Sequence, residues 1–489
     1  MASLEEIRST RIEKLKRLKE AGIDPYPASS KQDATLFEAA SNFDKLSKKK
    51  KPLFLVGRIM SIRGQGALTF ITLNDGTGPF QGLLKRADIG DVSYDLFMET
   101  VDIGDFVEIE GTLFVTKRNE KTIEAVSWKM LSKSLRPLPE KWHGLQDVEE
   151  RFRKRYLDAL MAPEVKERFI VRAKIVSEMR RLLNESGFIE FETPILQPLA
   201  GGASAEPFKT HHNALDIDLY LRVAPELYLK ELLVAGYPKV YELGRLFRNE
   251  GIDVTHNPEF TTVEWYEAYS DADKQMIFVE AVLKGIVEEV TDTSMATFDG
   301  NEIDFSKEFT KIKYLDLFKR YALIPDPESI TKSDLLLKAQ QLGITINPSD
   351  GEEKIMDSIY KKTCRPKLIQ PTIIYDYPKA FSPLAKKKKD NPAFVDKFQI
   401  VAGGLEIVNS FSELNDPLDQ RERFLEQEKN KERGDNEAQP NDESYIESME
   451  YGMPPAGGLA VSIDRMTMLL TDTRNIKEVI FFPTMRPKE

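Results

Sequence analysis

The sequence predicts two units of different class: a small all-β barrel, then an α+β domain in which helices flank an antiparallel sheet. Three observations carry this. Between Pro52 and Ser132, short alternating stretches (LFLVGRIMSI, LTFITLND, FQGLLK, DFVEIEGTLF, TIEAVSWKML) are separated by Gly and Asp-Gly turns, the spacing of a small barrel. Beyond Gln146, amphipathic helical patterns such as RFIVRAKIVSEMRRLLNESG alternate with strand patterns that pair as hairpins, VYELGRLFRNE with EFTTVEWYEAY and the residues flanking Gly403-Gly404,. No G-x-x-x-x-G-K-[ST] loop occurs, which excludes a P-loop nucleotide site.

Taken in order, residues 4 to 21 read as a helix with Ile7, Leu15 and Leu18 among charges and a stop at Gly22,. A polar linker completes residues 1 to 51. The barrel occupies 52 to 135, and RPLPEKWHG opens a proline-marked linker over 136 to 150,. The α+β domain runs from 151 to 489. Within it, residues 300 to 365 (YLDLFKRYALI, SDLLLKAQQLG, EEKIMDSIYKK) read as a helical insertion to which no chemistry is assigned.

A chain of 489 residues with 41% hydrophobic and 30% charged residues has ample material for a core,. No apolar run approaches the roughly 18 residues that cross a bilayer, and the charge-alternating N-terminus does not read as a signal peptide. A cytoplasmic location is expected. The single cysteine, Cys364, allows no intrachain disulfide, and with four histidines (143, 211, 212 and 256) it offers no zinc spacing,. The net charge of −11 argues against a general polyanion binder,, but not against RNA bound through local basic runs.

The densest chemistry lies between Gly244 and Tyr266. The segment predicts a hairpin whose long tip contains Gly251 and Asn257-Pro258,. Arg248 and Glu250 share one parity, and so do Phe260, Thr262, Glu264 and Tyr266. An arginine can fork onto carboxylate or phosphate, Phe260 can stack on a base, and Glu264 with Tyr266 can receive a cation. In GGLAVSIDRM, residues 457 to 466, the small residues Gly458, Ala460 and Ser462 form one strand face, Leu459, Val461 and Ile463 form the core face, and Asp464 begins a helix. Arg465 follows, placed to cover a purine opposite Phe260. In residues 395 to 416, a turn at Gly403-Gly404 leads to a strand bearing Glu406, Asn409 and Glu413. Glu406 has the wrong parity to join the other two, so a bulge or strong twist is needed if all three face one site. Taken alone, each pattern also suits an ordinary hairpin or a strand-to-helix corner.

The run GRLFRNEGIDVTHNPEFTTVEWY resembles motif 2 of the class II aminoacyl-tRNA synthetases, with GFIEFETPIL (187 to 196, proline at Pro194) similar to motif 1 and GGLAVSIDRM similar to motif 3. RVAPELYLKELL (222 to 233), FRNEG with HNPEF, and EIVNSFSELND (406 to 416) resemble the lysyl family of subclass b in particular. The resemblance spans nearly the whole chain. It implies ATP-dependent ligation of L-lysine to tRNA(Lys) by a homodimer that acts on neither membrane nor DNA. It assigns Arg248, Glu250 and Arg465 to catalysis, and Arg248, Glu250, His256, Asn257, Phe260, Glu406 and Arg465 to ATP. It assigns Gly202, Glu226, Arg248, Glu264, Tyr266, Asn409 and Glu413 to lysine. One to three Mg²⁺ ions are expected on Glu406, with Gln399 as a ligand through its amide or a water. The barrel is expected to be an OB-fold that reads the anticodon with Arg63, Phe70, Gln81 and Glu120, although periodicity alone favours a core position for Phe70. Two departures stand out: Ala460 and Ser462 replace glycines common in the family, and Gln399 replaces a frequent metal-binding carboxylate. Aspartyl and asparaginyl relatives share the layout, but their substrates would not suit an acidic pocket.

Overall fold

The computed structural model describes residues 3–139, 145–347, 350–432 and 438–488. The centre of the 136–150 linker, including His143, lies outside them. The chain forms two compact units, Met1–Gln146 and Asp147–Glu489, and among the described residues no helix is long and apolar enough to cross a membrane.

In the first unit, strands β1 (Leu53–Gln65), β2 (Leu68–Asn74), β3 (Pro79–Lys85), β4 (Phe106–Val115) and β5 (Lys121–Ser132) close into a barrel of order β1-β2-β3-β5-β4. Alternation directs Leu55, Ile59, Ile71, Leu73, Val107 and Ile109 into a common core,. Helix Asp91–Thr100 lies between β3 and β4 and sets Phe97 edge-on against Trp128, ring centroids 5.1 Å apart. This is the OB-fold expected from the strand spacing. The N-terminal helix, Leu4–Glu20, opens on a Ser3–Glu6 capping box,. Its Arg11 donates to Ser134 Oγ at 2.6 Å and to the Ile103 carbonyl at 3.1 Å, tying helix to barrel. The stretch read as a polar linker contains two short helices, Leu36–Ser41 and Phe43–Ser47, whose Leu36, Ala39 and Phe43 join the barrel core. Each is too short to display a helical period, although Thr35 and Glu38 form a capping box.

The second unit is built on eight strands: β6 (Ile189–Glu190), β7 (Lys239–Phe247), β8 (Glu259–Ala268), β9 (Thr310–Lys313), β10 (Thr372–Pro378), β11 (Phe394–Ala402), β12 (Leu405–Ser412) and β13 (Ala456–Ser462), in the order β9-β10-β11-β12-β13-β8-β7-β6. All neighbours are antiparallel except the outer pairs β9/β10 and β6/β7. Helices Pro163–Glu185, Ala272–Thr291 and Ile463–Leu470 cover one face with a core that includes Trp265, Leu459 and Val461. Helix Glu226–Val234 and the helical insertion pack on the other face, around Tyr266, Ile374 and Phe411. The insertion is helical only from Tyr314 onward. Residues 300 to 313 contribute β9 and half of a hairpin, Met295–Phe298 with Asn301–Asp304, turned by Asp299 and Gly300 at φ 52° and 74°. Positive φ at both positions marks the two-residue turn that Asp-Gly favours.

Candidate active site

The sheet aligns one row of side chains across four strands. Gln399 on β11 pairs with Asn409 on β12, Asn409 with Ala460 on β13, and Ala460 with Glu264 on β8; residues paired directly share a face. One step along, Ser462 pairs with Thr262, and in the other direction Gly458 pairs with Tyr266. Small residues on β13 leave room above this row. A Cβ at Gly458 would strike both the Glu413 carboxylate and the Tyr266 ring, so only glycine lets the two approach. Of the bulge or strong twist that parity called for, a bulge is present: Val408 pairs with Ile400, yet Glu406 pairs with Val401, which leaves Ile407 as the extra residue,. Glu406 and Asn409 thereby line the same cavity.

That cavity, about 390 Å³, is walled by Arg248, Glu250, His256, Asn257 and Phe260 from the β7–β8 hairpin and its tip, by Glu264, by Glu406 and Asn409, and by Arg465. β7 ends at Phe247, so Arg248 and Glu250 project from the tip. The Arg248 guanidinium lies 5.1 Å from the Phe260 ring centroid,. Arg465 shares this cavity with Phe260 and donates to the Glu406 carbonyl at 3.0 Å and to His256 Nε2 at 3.2 Å, two acceptors that hold it along the cavity wall. Because Arg465 donates to Nε2, it is His256 Nδ1 that donates to Asp253 Oδ2 at 2.8 Å,. Arg465 owes its position to the start of helix Ile463–Leu470: Ser462 Oγ caps it by accepting from the Arg465 amide at 3.2 Å,. Asp464 clamps that turn to β8 by accepting from the Thr261 amide at 2.7 Å and from Arg172 at 2.6 Å. Arg248 Nε, Asn257 Oδ1, Asn409 Oδ1 and Arg365 Nε are buried around this cavity without a hydrogen-bond partner. Buried polar groups are normally satisfied, and four convergent exceptions point to a polar ligand.

Behind Glu264 lies a buried acidic cluster. Tyr266 donates to Glu264 Oε2 at 3.3 Å, Glu413 reaches toward the same ring, and Glu226 stands beside Gly202. Gly202 has φ +92°, and a Cβ there would lie 3.1 Å from the Glu226 Cβ, so the chain can run against Glu226 only with glycine. Lys230 is fully buried between the acids; its Nζ lies 2.5 Å from Glu226 Oε1 and pairs with Glu413. Burial pushes the Glu264 carboxyl up to about 8, with Glu226 adding repulsion against the relief from Arg248. Burial also raises Glu226 and Glu413, against the pull of Lys230. For Lys230, burial works against the ammonium, but Glu226 and Glu413 outweigh it and hold its pKa above the ordinary lysine range. Lys230 pairs with Glu226 and Glu413 but not with Glu264, whose oxygen accepts from Tyr266, so the three carboxylates can take further positive charge.

The donor set suits magnesium held jointly by protein and phosphate. Among the described residues no three His, Cys, Asp or Glu side chains gather into a metal cage, and Gln399 Oε1 already accepts from Tyr377 at 2.7 Å. Glu406, on the cavity wall, could supply one hard carboxylate, and Mg²⁺ habitually takes one or two with phosphate and water completing its shell.

On the barrel, pairing of Arg63 with Phe70, of Thr72 with Gln81 and of Gln81 with Thr122 puts Arg63, Phe70 and Gln81 on one outer face, with Glu120 exposed at the entry to β5. Phe70 is half-buried on that face, whereas its neighbours Thr69 and Ile71 point into the barrel, so the core position favoured by periodicity is corrected. Thr122 donates to Gln81 Oε1 at 2.8 Å.

Three residues at these sites escaped sequence reasoning. Lys230 looks like any lysine of an amphipathic helix, and its partner Glu413 lies 183 positions away. Lys361 and Arg365 line the cavity from the helical insertion, where isolated basic residues carry no signal.

The family described as tRNA synthetases class II (D, K and N) matches residues 147–486, and the OB-fold nucleic acid binding domain matches residues 54–131. A class II synthetase catalytic domain thus follows a nucleic-acid-binding barrel. The chain is 47% identical to the lysine–tRNA ligase of Pelotomaculum thermopropionicum over 99% of its own length and 96% of that protein, and 46% identical to that of Moorella thermoacetica over 99% and 98%. Against the lysine–tRNA ligase of Carboxydothermus hydrogenoformans it is 45% identical over 99% of each chain. The chain belongs to the lysine–tRNA ligase family of class II synthetases.

Proposed function

We propose that the protein activates L-lysine with ATP and transfers it to the 3′ end of tRNA(Lys). The observation that carries this reading is the buried acidic cluster of Glu226, Glu264 and Glu413, whose Glu264 also lines the cavity walled by Arg248 and Arg465. A substrate with two ammonium groups fits such a cluster, whereas aspartate or asparagine would leave the carboxylates uncompensated. Lysine's α-ammonium meets Glu226 and Glu264 beside Gly202, its ε-ammonium meets Glu413 and Tyr266, and its carboxylate is held by Arg248 and Asn409. The purine stacks on Phe260, with Glu250 and Asn257 at its edge, while His256 and Arg465 take the outer phosphates. A lysine carboxylate oxygen attacks the α-phosphorus in line, the bond to the β-phosphate oxygen breaks, and pyrophosphate leaves with the electron pair. Arg248 stabilises the charge that develops there. Mg²⁺ on Glu406 neutralises phosphate charge when bound. The terminal adenosine of tRNA(Lys) then accepts the lysyl group. The exposed apolar residues Ile189, Ile195, Leu196, Leu215 and Ile217 support a homodimer,, and a lone buried thiol with no disulfide suits the cytoplasm,.

The outer barrel face reads the anticodon through Arg63, Phe70, Gln81 and Glu120. Stacking on one aromatic platform contributes about 1–3 kcal/mol per base. Phe70→Ala is therefore expected to lower charging of tRNA(Lys) roughly tenfold or more while leaving lysine-dependent ATP–pyrophosphate exchange intact. Equal loss in both assays would assign Phe70 to barrel stability alone.

Glu264 also predicts a pH dependence. Between the ordinary 4.5 and about 8, the folded protein holds a proton that the unfolded chain has released, so this group's contribution to stability declines as pH rises through that window. A bound ammonium favours the ionised form. Lysine affinity should accordingly tighten between pH 6 and 8, by up to about tenfold per pH unit, and level off above the Glu264 pKa. Titration calorimetry with lysine checks the slope, which Glu264→Gln should flatten; a flat wild-type profile contradicts the assignment.

A further inference from the structure

The helical insertion reaches the nucleotide cavity with two cations. Helix Glu352–Ile359 continues through a wider π-helical turn, Tyr360–Cys364, into a short 3-10 turn, Arg365–Lys367. Lys361 and Arg365 lie four residues apart, and both line the cavity that holds Arg248, His256, Glu406 and Arg465. Arg365 Nε is buried with no hydrogen-bond partner, an arrangement that costs free energy unless a ligand completes it. Lys361 pairs with Asp357 at 2.7 Å where both side chains are exposed; such a pair is weak, so Lys361 can exchange Asp357 for a stronger anion.

The chain after Arg365 is anchored to the hairpin that carries Glu406. The Gly403 amide donates to the Ile369 carbonyl at 2.8 Å and the Gly404 amide to the Leu368 carbonyl at 3.0 Å. Gly404 has φ +73°, and a Cβ there would come within 3.3 Å of Pro366 Cα, so glycine is what allows this approach. Buried Tyr360 and Cys364 fasten the turn from behind, the thiol donating to the Leu317 carbonyl at 3.6 Å. Arg365 is thus held in register with Glu406 by backbone contacts, although it belongs to the insertion.

We propose that Arg365, assisted by Lys361, binds the β- and γ-phosphates of the nucleotide and hence the departing pyrophosphate. The proposal rests on the reading of this cavity as an ATP site. A triphosphate carries more negative charge than Arg248 and Arg465 neutralise, and Glu406 is the one carboxylate assigned there to a metal. Guanidinium groups fork onto phosphate oxygens, and an ammonium adds a mobile point charge. Because both residues lie on the insertion, nucleotide binding also fastens that segment to the sheet.

The test uses the full-length protein with ATP, AMP and inorganic pyrophosphate as probes. Arg365→Gln is expected to weaken ATP binding and to raise the pyrophosphate KM in the exchange reaction by about tenfold, with AMP affinity within about twofold of wild type. Lys361→Ala, on the exposed surface, is expected to raise the pyrophosphate KM about three- to fivefold with unchanged Tm. A purely structural role for Arg365 would weaken AMP and ATP together. Equal losses for the two nucleotides, or ATP and pyrophosphate constants within about twofold of wild type, would overturn the proposal. Should Arg365→Gln fail to fold, Arg365→Lys and Lys361→Ala carry the comparison under the same criteria. Failure of the wild-type protein to bind ATP would instead overturn the nucleotide reading itself, and it would appear before any variant is made.

Discussion

Glu413→Gln is expected to abolish the use of lysine while leaving ATP binding intact. Glu413 is 1% exposed, and its Oε1 has no partner in the protein while Lys230 pairs with Oε2. An incoming ε-ammonium that meets an amide instead of a carboxylate is a buried charge without its counter-ion, and breaking such a pair typically costs about 3–5 kcal/mol, or roughly 10²- to 10⁴-fold in kcat/KM. The fold should survive, because Lys230 retains Glu226 at 2.5 Å. ATP affinity should hold, because Glu413 does not line the nucleotide cavity. Pyrophosphate exchange at varied lysine and direct ATP binding check both halves. A loss below about threefold, near 0.6 kcal/mol, would remove Glu413 from the role of ammonium partner. Charge discriminates strongly here and length weakly: one methylene is worth only about 10–200-fold, so ornithine should be the hardest competitor.

Arg248→Ala should be nearly as damaging, through kcat. Arg248 has a buried Nε without a partner and a guanidinium that stacks on the Phe260 ring, so much of its capacity is left for a ligand. Removing one preorganised donor to developing charge costs about 10²–10³ in rate, read as a fall in the first-order rate of adenylate formation with Tm unchanged. Arg248→Lys should not restore activity, since an ammonium cannot fork onto carboxylate and phosphate together. A lysine variant within about threefold of wild type would show that charge alone suffices.

What was legible in the sequence follows from the range of each signal. Period-two alternation and glycine turns marked the barrel strands and the β7–β8 and β11–β12 hairpins, because those signals are local. Parity called for a bulge or a strong twist if Glu406 was to face the site with Asn409, and the structure has a bulge, with Ile407 as the extra residue. The Asp299-Gly300 hairpin carried an equally local signal, flanked by MATF and NEID, but it was absorbed into a segment read as helical. Phe70 was ambiguous because the two faces of a small barrel strand differ little in hydrophobicity; the register with Arg63 and Gln81 decides it.

The site was legible where a motif gathered several groups within one segment and illegible where tertiary packing did the gathering. Arg248, Phe260 and Glu264 lie within 17 residues of one hairpin. Lys230 acquires meaning only when helix Glu226–Val234 lies across from Glu413. Lys361 and Arg365 require the insertion to fold back against Gly403-Gly404. The sequence also could not anticipate that the Glu406 carbonyl and His256 would hold Arg465.

On the proposed reading, a buried acidic cluster beside the nucleotide cavity selects lysine. ATP–pyrophosphate exchange measured separately with each of the twenty amino acids tests it most directly. Exchange should depend on lysine, with aspartate and asparagine inert despite the shared domain layout. Exchange driven by aspartate or asparagine, or by none of the twenty, would contradict the account.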